Sequence, residues 1–170
     1  MSSTTYSGHL QILDAEEIED LYSIPDFDPE DRVTFFTLVP EEFALMKTYR
    51  GVPSKVFFML QLGYFKAKHQ FFLFTFEEQA ADTAFILKKY FPKTNRKTLV
   101  EISKPTRLNQ QKKICSLYKF TPFKDGLLVE LMEQAGVFAR RHNHPTYLFR
   151  LLLQYLHLSL IHISEPTRPY

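Results

Sequence analysis

The chain has 170 residues, 45% of them hydrophobic, which is enough apolar material for one domain or two small ones and excludes wholesale disorder. Only 5 glycines and 10 prolines are present, which argues against an all-β fold, and the single cysteine excludes an internal disulfide or a cysteine-based zinc site. The net charge of +2 hides an acidic segment (residues 1–42, eleven acids and one base) and a basic segment (residues 86–124, eleven bases and one acid).

Helix signals follow one another through the first half of the chain. Asp14 with Glu17 has the spacing of a capping box, and Asp28 before Pro29 places a cap and a proline at a helix start. Two further helices are predicted, over residues 40–49 and 54–66. The second of these is apolar almost all round, which is typical of the buried centre of a domain.

The second half of the chain also has helical periodicity. Thr75 and Glu78 have capping-box spacing and predict a helix from residue 75 to 91, followed by a short helix near residues 95–101. A helix over residues 103–119 is predicted to bury Leu108 and Cys115. Another, over residues 125–140, is predicted to bury Leu128, Leu131, Ala135 and Phe138, and a last helix follows residue 145.

These elements predict an all-α fold with two small helical subdomains and helix-turn-helix-like elements. We place an N-terminal helical subdomain at residues 1–70 and a basic helical DNA-binding subdomain at residues 71–157. No run of about 18 apolar residues is present and the N-terminus lacks the pattern of a signal peptide, so neither a membrane partner nor export is expected.

No catalytic or cofactor motif is recognisable. A P-loop, a dinucleotide-binding glycine pattern and a nucleophile elbow are all missing, so we expect no enzyme activity, no cofactor and no metal. His142 and His144 alone have a metal-like spacing, and a surface turn is the simpler interpretation. Cys115 falls on an apolar helix face and is interpreted as a small core residue rather than a nucleophile.

The basic segment is the one candidate for a binding function. Its lysines and arginines would neutralise phosphates, Asn109 would read adenine and Arg107 guanine in the major groove of double-stranded DNA. The predicted DNA-binding residues are Lys93, Arg96, Lys97, Lys104, Arg107, Asn109, Lys112, Lys113 and Ser116. Two alternatives remain open: an ordinary solvated helix face, and a basic segment that the acidic segment neutralises within the chain.

A family resemblance supports the DNA-binding interpretation. The run from Arg50-Gly51 through Gln61-Leu62 to Lys66 resembles the opening region of Tn-three-family transposases, and the resemblance extends over residues 10–157. It implies subdomains that bind the transposon's terminal inverted repeats, with catalysis in an Asp-Asp-Glu domain that this chain lacks. It also implies a bacterial cytoplasmic, nucleoid-associated protein, and leaves open a homodimer formed through regions missing here.

Two further expectations concern the end of the chain and a competing function. Residues 158–170 resemble a translated sequencing-library adapter, so we expect them to be a tail foreign to the protein. The competing function is a helical protein–protein interaction module, in which the acidic segment and the basic helix contact other proteins.

Overall fold

The computed structural model describes residues 14–122, 125–158 and 161–162. Over these ranges the fold is all-α, as predicted. The α-helices are α1 (Ala15–Tyr22), α2 (Pro29–Phe36), α3 (Pro40–Lys47), α4 (Val52–Lys68), α5 (Ala80–Tyr90), α6 (Lys104–Leu117), α7 (Asp125–Ala139) and α8 (Pro145–Leu158). A 3-10 turn, η1 (Arg96–Thr98), lies between α5 and α6, and a two-residue parallel bridge joins β1 (Thr121–Pro122) to β2 (Ile161–His162).

The chain divides into two compact units. The three-helix unit consists of Met1–Ser23 with Lys124–Leu156 and contains α1, α7 and α8. The five-helix unit consists of Ile24–Phe123 with His157–Tyr170 and contains α2 to α6, η1 and the bridge. This division differs from the boundary predicted at residue 70. The reason is α4, which precedes residue 70 but packs against α5 and α6 as well as against α2 and α3.

Helix α4 is the centre of the five-helix unit. All residues from 56 to 65 are buried, which fits a helix that is apolar on every side. Gly63 lets α2 approach closely, because a Cβ at this position would lie 2.3 Å from Cε1 of the buried Phe36 ring. The packing of α2 onto α4 therefore depends on a glycine at position 63.

The predicted caps of the first two helices are confirmed. Asp14 Oδ1 accepts a hydrogen bond from the Glu17 amide at 2.8 Å, and Glu17 accepts one from the Asp14 amide at 3.0 Å. Asp28 accepts from the amides of Glu30 and Asp31 at the start of α2. These interactions are local in sequence, which is why the spacing alone reveals them.

Two of the predictions from periodicity are wrong. The capping contacts between Thr75 and Glu78 form, but α5 begins only at Ala80, because residues 76–79 form a turn in which the Phe76 amide bonds to Glu101. Leu128 of α7 is exposed rather than buried, because Leu127 takes its place beside Leu131 in the half-buried stripe of that helix.

Candidate nucleic-acid interface

The candidate interface is built on α6. Ser103 caps this helix through a hydrogen bond from the Thr106 amide to its Oγ, and Pro105 occupies the first turn, where no amide donor is needed. The helix has 14 residues, so it is about 21 Å long. With its side chains an α-helix is about 10–12 Å in diameter, so it fits the major groove of DNA, which is about 12 Å wide.

A buried amide pair decides which face of α6 points inward. Gln61 Nε2, on α4, donates to Gln110 Oε1 at 2.8 Å, and both side chains are fully buried. Gln110 Nε2 in turn donates to the Ser54 carbonyl at 2.9 Å and to Ser54 Oγ at 3.1 Å. Gln110 was not predicted to be buried, because periodicity places apolar residues inside and gives no signal for a buried, paired glutamine.

The amide pair corrects the prediction for Leu108. This residue was expected in the core, but 41% of it is exposed, whereas Cys115 is buried as predicted and Ile114 is buried beside it. Because Gln110 faces α4, Leu108 lies on the other side of the helix. The exposed face of α6 therefore contains an apolar residue that helical periodicity predicts in the interior.

The C-terminal end of α6 is held by a buried carboxylate. Glu42 of α3 is fully buried and accepts hydrogen bonds from the Tyr118 hydroxyl and from the Val39 amide. It also forms an ion pair with Lys66, whose Nζ lies 3.3 Å from Oε1. Burial, with the hydrogen bond to Glu42, raises the pKa of Tyr118 above its usual range. Glu42 thus links α3, α4 and the end of α6.

The outward side of α6 is polar and cationic. From the 100° turn per residue, its exposed positions fall within an arc of about 140°. They are Lys104, Pro105, Leu108, Asn109, Lys112 and Ser116. Four of the nine predicted DNA-binding residues therefore share one face of one helix.

Two of the predicted DNA-binding residues are less exposed than expected. Lys113 is half-buried, and its Nζ lies 5.0 Å from the centroid of the Tyr49 ring, in cation–π contact. Arg107 is also half-buried, and its Nε has no hydrogen-bond partner among the described residues. These side chains lie at the edges of the exposed face rather than in its middle.

The other three predicted residues precede α6. Lys93 follows α5, and Arg96 and Lys97 belong to η1, which packs against α5. All three side chains are exposed. The Lys97 amide donates to Asn95 Oδ1 at 3.0 Å, so Asn95 caps this turn.

No acidic side chain in the described part of the chain forms an ion pair with any of the nine predicted residues. Ion pairs seen there include Arg32 with Asp82, Lys66 with Glu42 and Arg150 with Glu17. Two acids of the acidic segment, Glu17 and Glu42, thus contact bases outside the basic segment. Residues 24–123 hold sixteen bases and ten acids. The five-helix unit therefore has an excess of basic residues, and within the described ranges no ion pair neutralises the nine predicted residues.

The structure also shows the surroundings of the cysteine and the histidine that could indicate catalysis or metal binding. Cys115 is buried, and burial raises the pKa of its thiol to about 11. His142 is half-buried, with its ring 4.8 Å from that of Tyr147. Among residues 14–122, 125–158 and 161–162, no group of three or more metal-ligating side chains occurs. No helix in the same ranges is long and apolar enough to cross a membrane.

Comparison with protein families decides the classification. Residues 12–163 match the family described as a domain of unknown function, DUF4158. The chain belongs to this family. The DUF4158 family is associated with transposase-like proteins, and the match includes the first six residues of the predicted foreign tail. No match was found among curated proteins or among solved structures.

Proposed function

We propose that this DUF4158 chain is a non-catalytic DNA-binding part of a transposase, and that it recognises the terminal inverted repeats of its transposon. In this proposal α6 lies in the major groove, and the exposed bases before it contact the phosphate backbone. The proposal makes the protein bacterial and cytoplasmic, acting at the nucleoid. Strand cleavage and joining would belong to an Asp-Asp-Glu domain outside this sequence.

One observation carries the proposal. Of the nine predicted residues, seven are exposed and none is paired with an acid in the described residues. Unpaired cations on a positively charged unit attract a polyanion, and their binding releases the counterions condensed on DNA. The association of the family with transposase-like proteins makes DNA the appropriate polyanion.

The side chains on α6 have distinct chemical roles in this proposal. Lys104 and Lys112 supply point charges for phosphates, which position the helix without reading sequence. Asn109 presents an amide that can donate to N7 and accept from N6 of adenine. Ser116 can serve as a hydroxyl donor to a phosphate or a base.

A binding experiment with matched variants tests this proposal. The probe is a labelled 25-bp duplex selected from a random pool by repeated binding to the whole chain. Lys112→Ala should weaken binding to the selected duplex and to random duplex alike, whereas Asn109→Ala should reduce the preference for the selected duplex about tenfold. Lys47→Ala is the control, because Lys47 is an exposed lysine on α3, outside the basic segment.

Two results would contradict parts of the proposal. If Lys112→Ala and Lys47→Ala weaken binding equally, α6 is not the contact surface. If the selected sequence is missing from the inverted repeats that flank the parent gene, recognition of transposon ends is wrong even though DNA binding stands.

One observation favours a second candidate function, a protein-interaction module. Helix α7 exposes Leu128, Val129, Met132 and Val137, and exposed apolar residues on one helix are typical of contact surfaces between proteins. Under this function, duplex DNA would not bind at any salt concentration. Val129→Lys with Met132→Lys would then abolish a stable complex with a protein partner that Lys47→Ala leaves intact.

A further inference from the structure

The exposed face of α6 contains two apolar side chains, Pro105 in the first turn and Leu108 between two lysines. Leu108 is 41% exposed. Lys104 and Lys112 lie one helical turn before and after it, and Asn109 is adjacent in sequence. On the helix circumference Leu108 lies about 40° from each of the two lysines and about 100° from Asn109. If both lysines contact phosphates at the groove edges, Leu108 is carried towards the floor of the groove.

The chemistry of the groove floor identifies what such a side chain can contact. Thymine alone among the four bases presents a methyl group, on C5, in the major groove. A leucine can bury that methyl group, whereas a lysine or an asparagine gains nothing from it. We propose that Leu108 is a specificity-determining residue that contacts a thymine methyl group; the inference rests on the proposed function.

Asn109 strengthens the inference. An amide that reads adenine and an apolar side chain that reads thymine occupy consecutive positions of the same helix. Consecutive residues of a helix point about 100° apart, so the two side chains reach different bases. The recognised site should then contain both an adenine and a thymine, each read by one of these residues.

The test changes the DNA rather than the protein, by removing the thymine methyl groups. The duplex selected for binding to the whole chain is synthesised again with deoxyuridine in place of thymidine, which deletes C5 methyl groups and keeps base pairing. Burial of one methylene-sized group contributes about 0.8 kcal/mol, so the wild-type chain should bind the uracil duplex about fourfold more weakly.

Four proteins are compared on both duplexes. Leu108→Gln should bind the two duplexes about equally, because it replaces the apolar contact with a polar chain that keeps helix propensity. Leu108→Met should retain the fourfold difference, because it remains apolar and long. Leu128→Gln is the matched control: Leu128 is a similarly exposed helical leucine, on α7, and this variant should also retain the difference.

The results separate the inference from the proposed function. If the wild-type chain binds both duplexes equally, or if Leu108→Gln keeps the fourfold difference, Leu108 is an ordinary surface leucine and the inference is overturned, while salt-sensitive DNA binding persists. If no duplex binds at any salt concentration, the proposed function fails and the inference fails with it. Circular dichroism of each variant confirms that the helices are intact before binding is compared.

Discussion

The buried amide pair between α4 and α6 makes a quantitative prediction about stability. Gln110→Leu preserves the approximate volume of the side chain but removes its acceptor and its donor. Gln61 Nε2 then loses the oxygen at 2.8 Å that it bonds in the native protein, and Ser54 loses the Gln110 amide. The variant therefore leaves polar atoms without partners in a fully buried site.

The size of the effect follows from these contacts. A buried donor without a partner costs about 1–3 kcal/mol, so we expect Gln110→Leu to lower the free energy of unfolding by about 2 kcal/mol. Gln61→Leu should lower the free energy of unfolding by less than Gln110→Leu does. In the native chain Gln61 Oε1 is a buried acceptor without a partner among the described residues, and the variant removes this unfavourable atom. In the double variant no unpaired amide remains, so its loss should fall about 1–2 kcal/mol short of the sum of the single losses.

Urea unfolding followed by circular dichroism measures these differences. With a slope of about 1.5 kcal/mol per molar urea, Gln110→Leu should lower the midpoint by about 1 M. Gln111→Leu, one residue along the same helix, is the control and should change the midpoint little. Single variants whose losses are each below about 0.5 kcal/mol and simply add would refute the argument that this pair fixes α6 on α4.

Three further predictions follow from the packing. Gly63→Ala places a Cβ against the buried Phe36 ring and should lower stability by about 1–3 kcal/mol, seen as a lower melting temperature; an unchanged melting temperature would contradict the close approach of α2. The Cys115 thiol, whose pKa is raised to about 11, should react with a disulfide reagent at pH 8 far more slowly in the native than in the urea-unfolded chain, and equal rates would mean that the site is open. Because that raised pKa favours the protonated thiol in the folded state, stability should fall as pH rises from about 9 towards 11, and Cys115→Ser should reduce this fall; an identical alkaline loss in both proteins would exclude the thiol as a contributor.

Local signals in the sequence predicted much of the fold. The caps at Asp14 and Asp28 depend on residues two or three positions away, so their spacing identified the starts of α1 and α2. The buried centre was also predicted, because α4 is apolar on all sides and needs no choice of face. The start of α5 was misplaced because the hydrogen bond between Phe76 and Glu101 joins residues 25 positions apart.

The orientation of α6 required tertiary information. The helix has few strongly apolar residues, so its pattern placed Leu108 inside and gave no sign that Gln110 is buried. Gln61 and Ser54, about 50 residues away, settle the choice by providing partners for Gln110. The same contacts put Asn109 and Lys112 outside as predicted, while the nearby Tyr49 ring draws Lys113 to the edge of the exposed face.

A salt titration of DNA binding measures how many of the exposed cations neutralise phosphates. If the five exposed cations among the predicted residues (Lys93, Arg96, Lys97, Lys104 and Lys112) each neutralise one phosphate, the logarithm of the association constant should fall with the logarithm of salt concentration with a slope of about −4.5. Between 50 and 200 mM salt the affinity should then drop about 500-fold. An affinity that is the same at both salt concentrations, or no binding at either, would contradict the account.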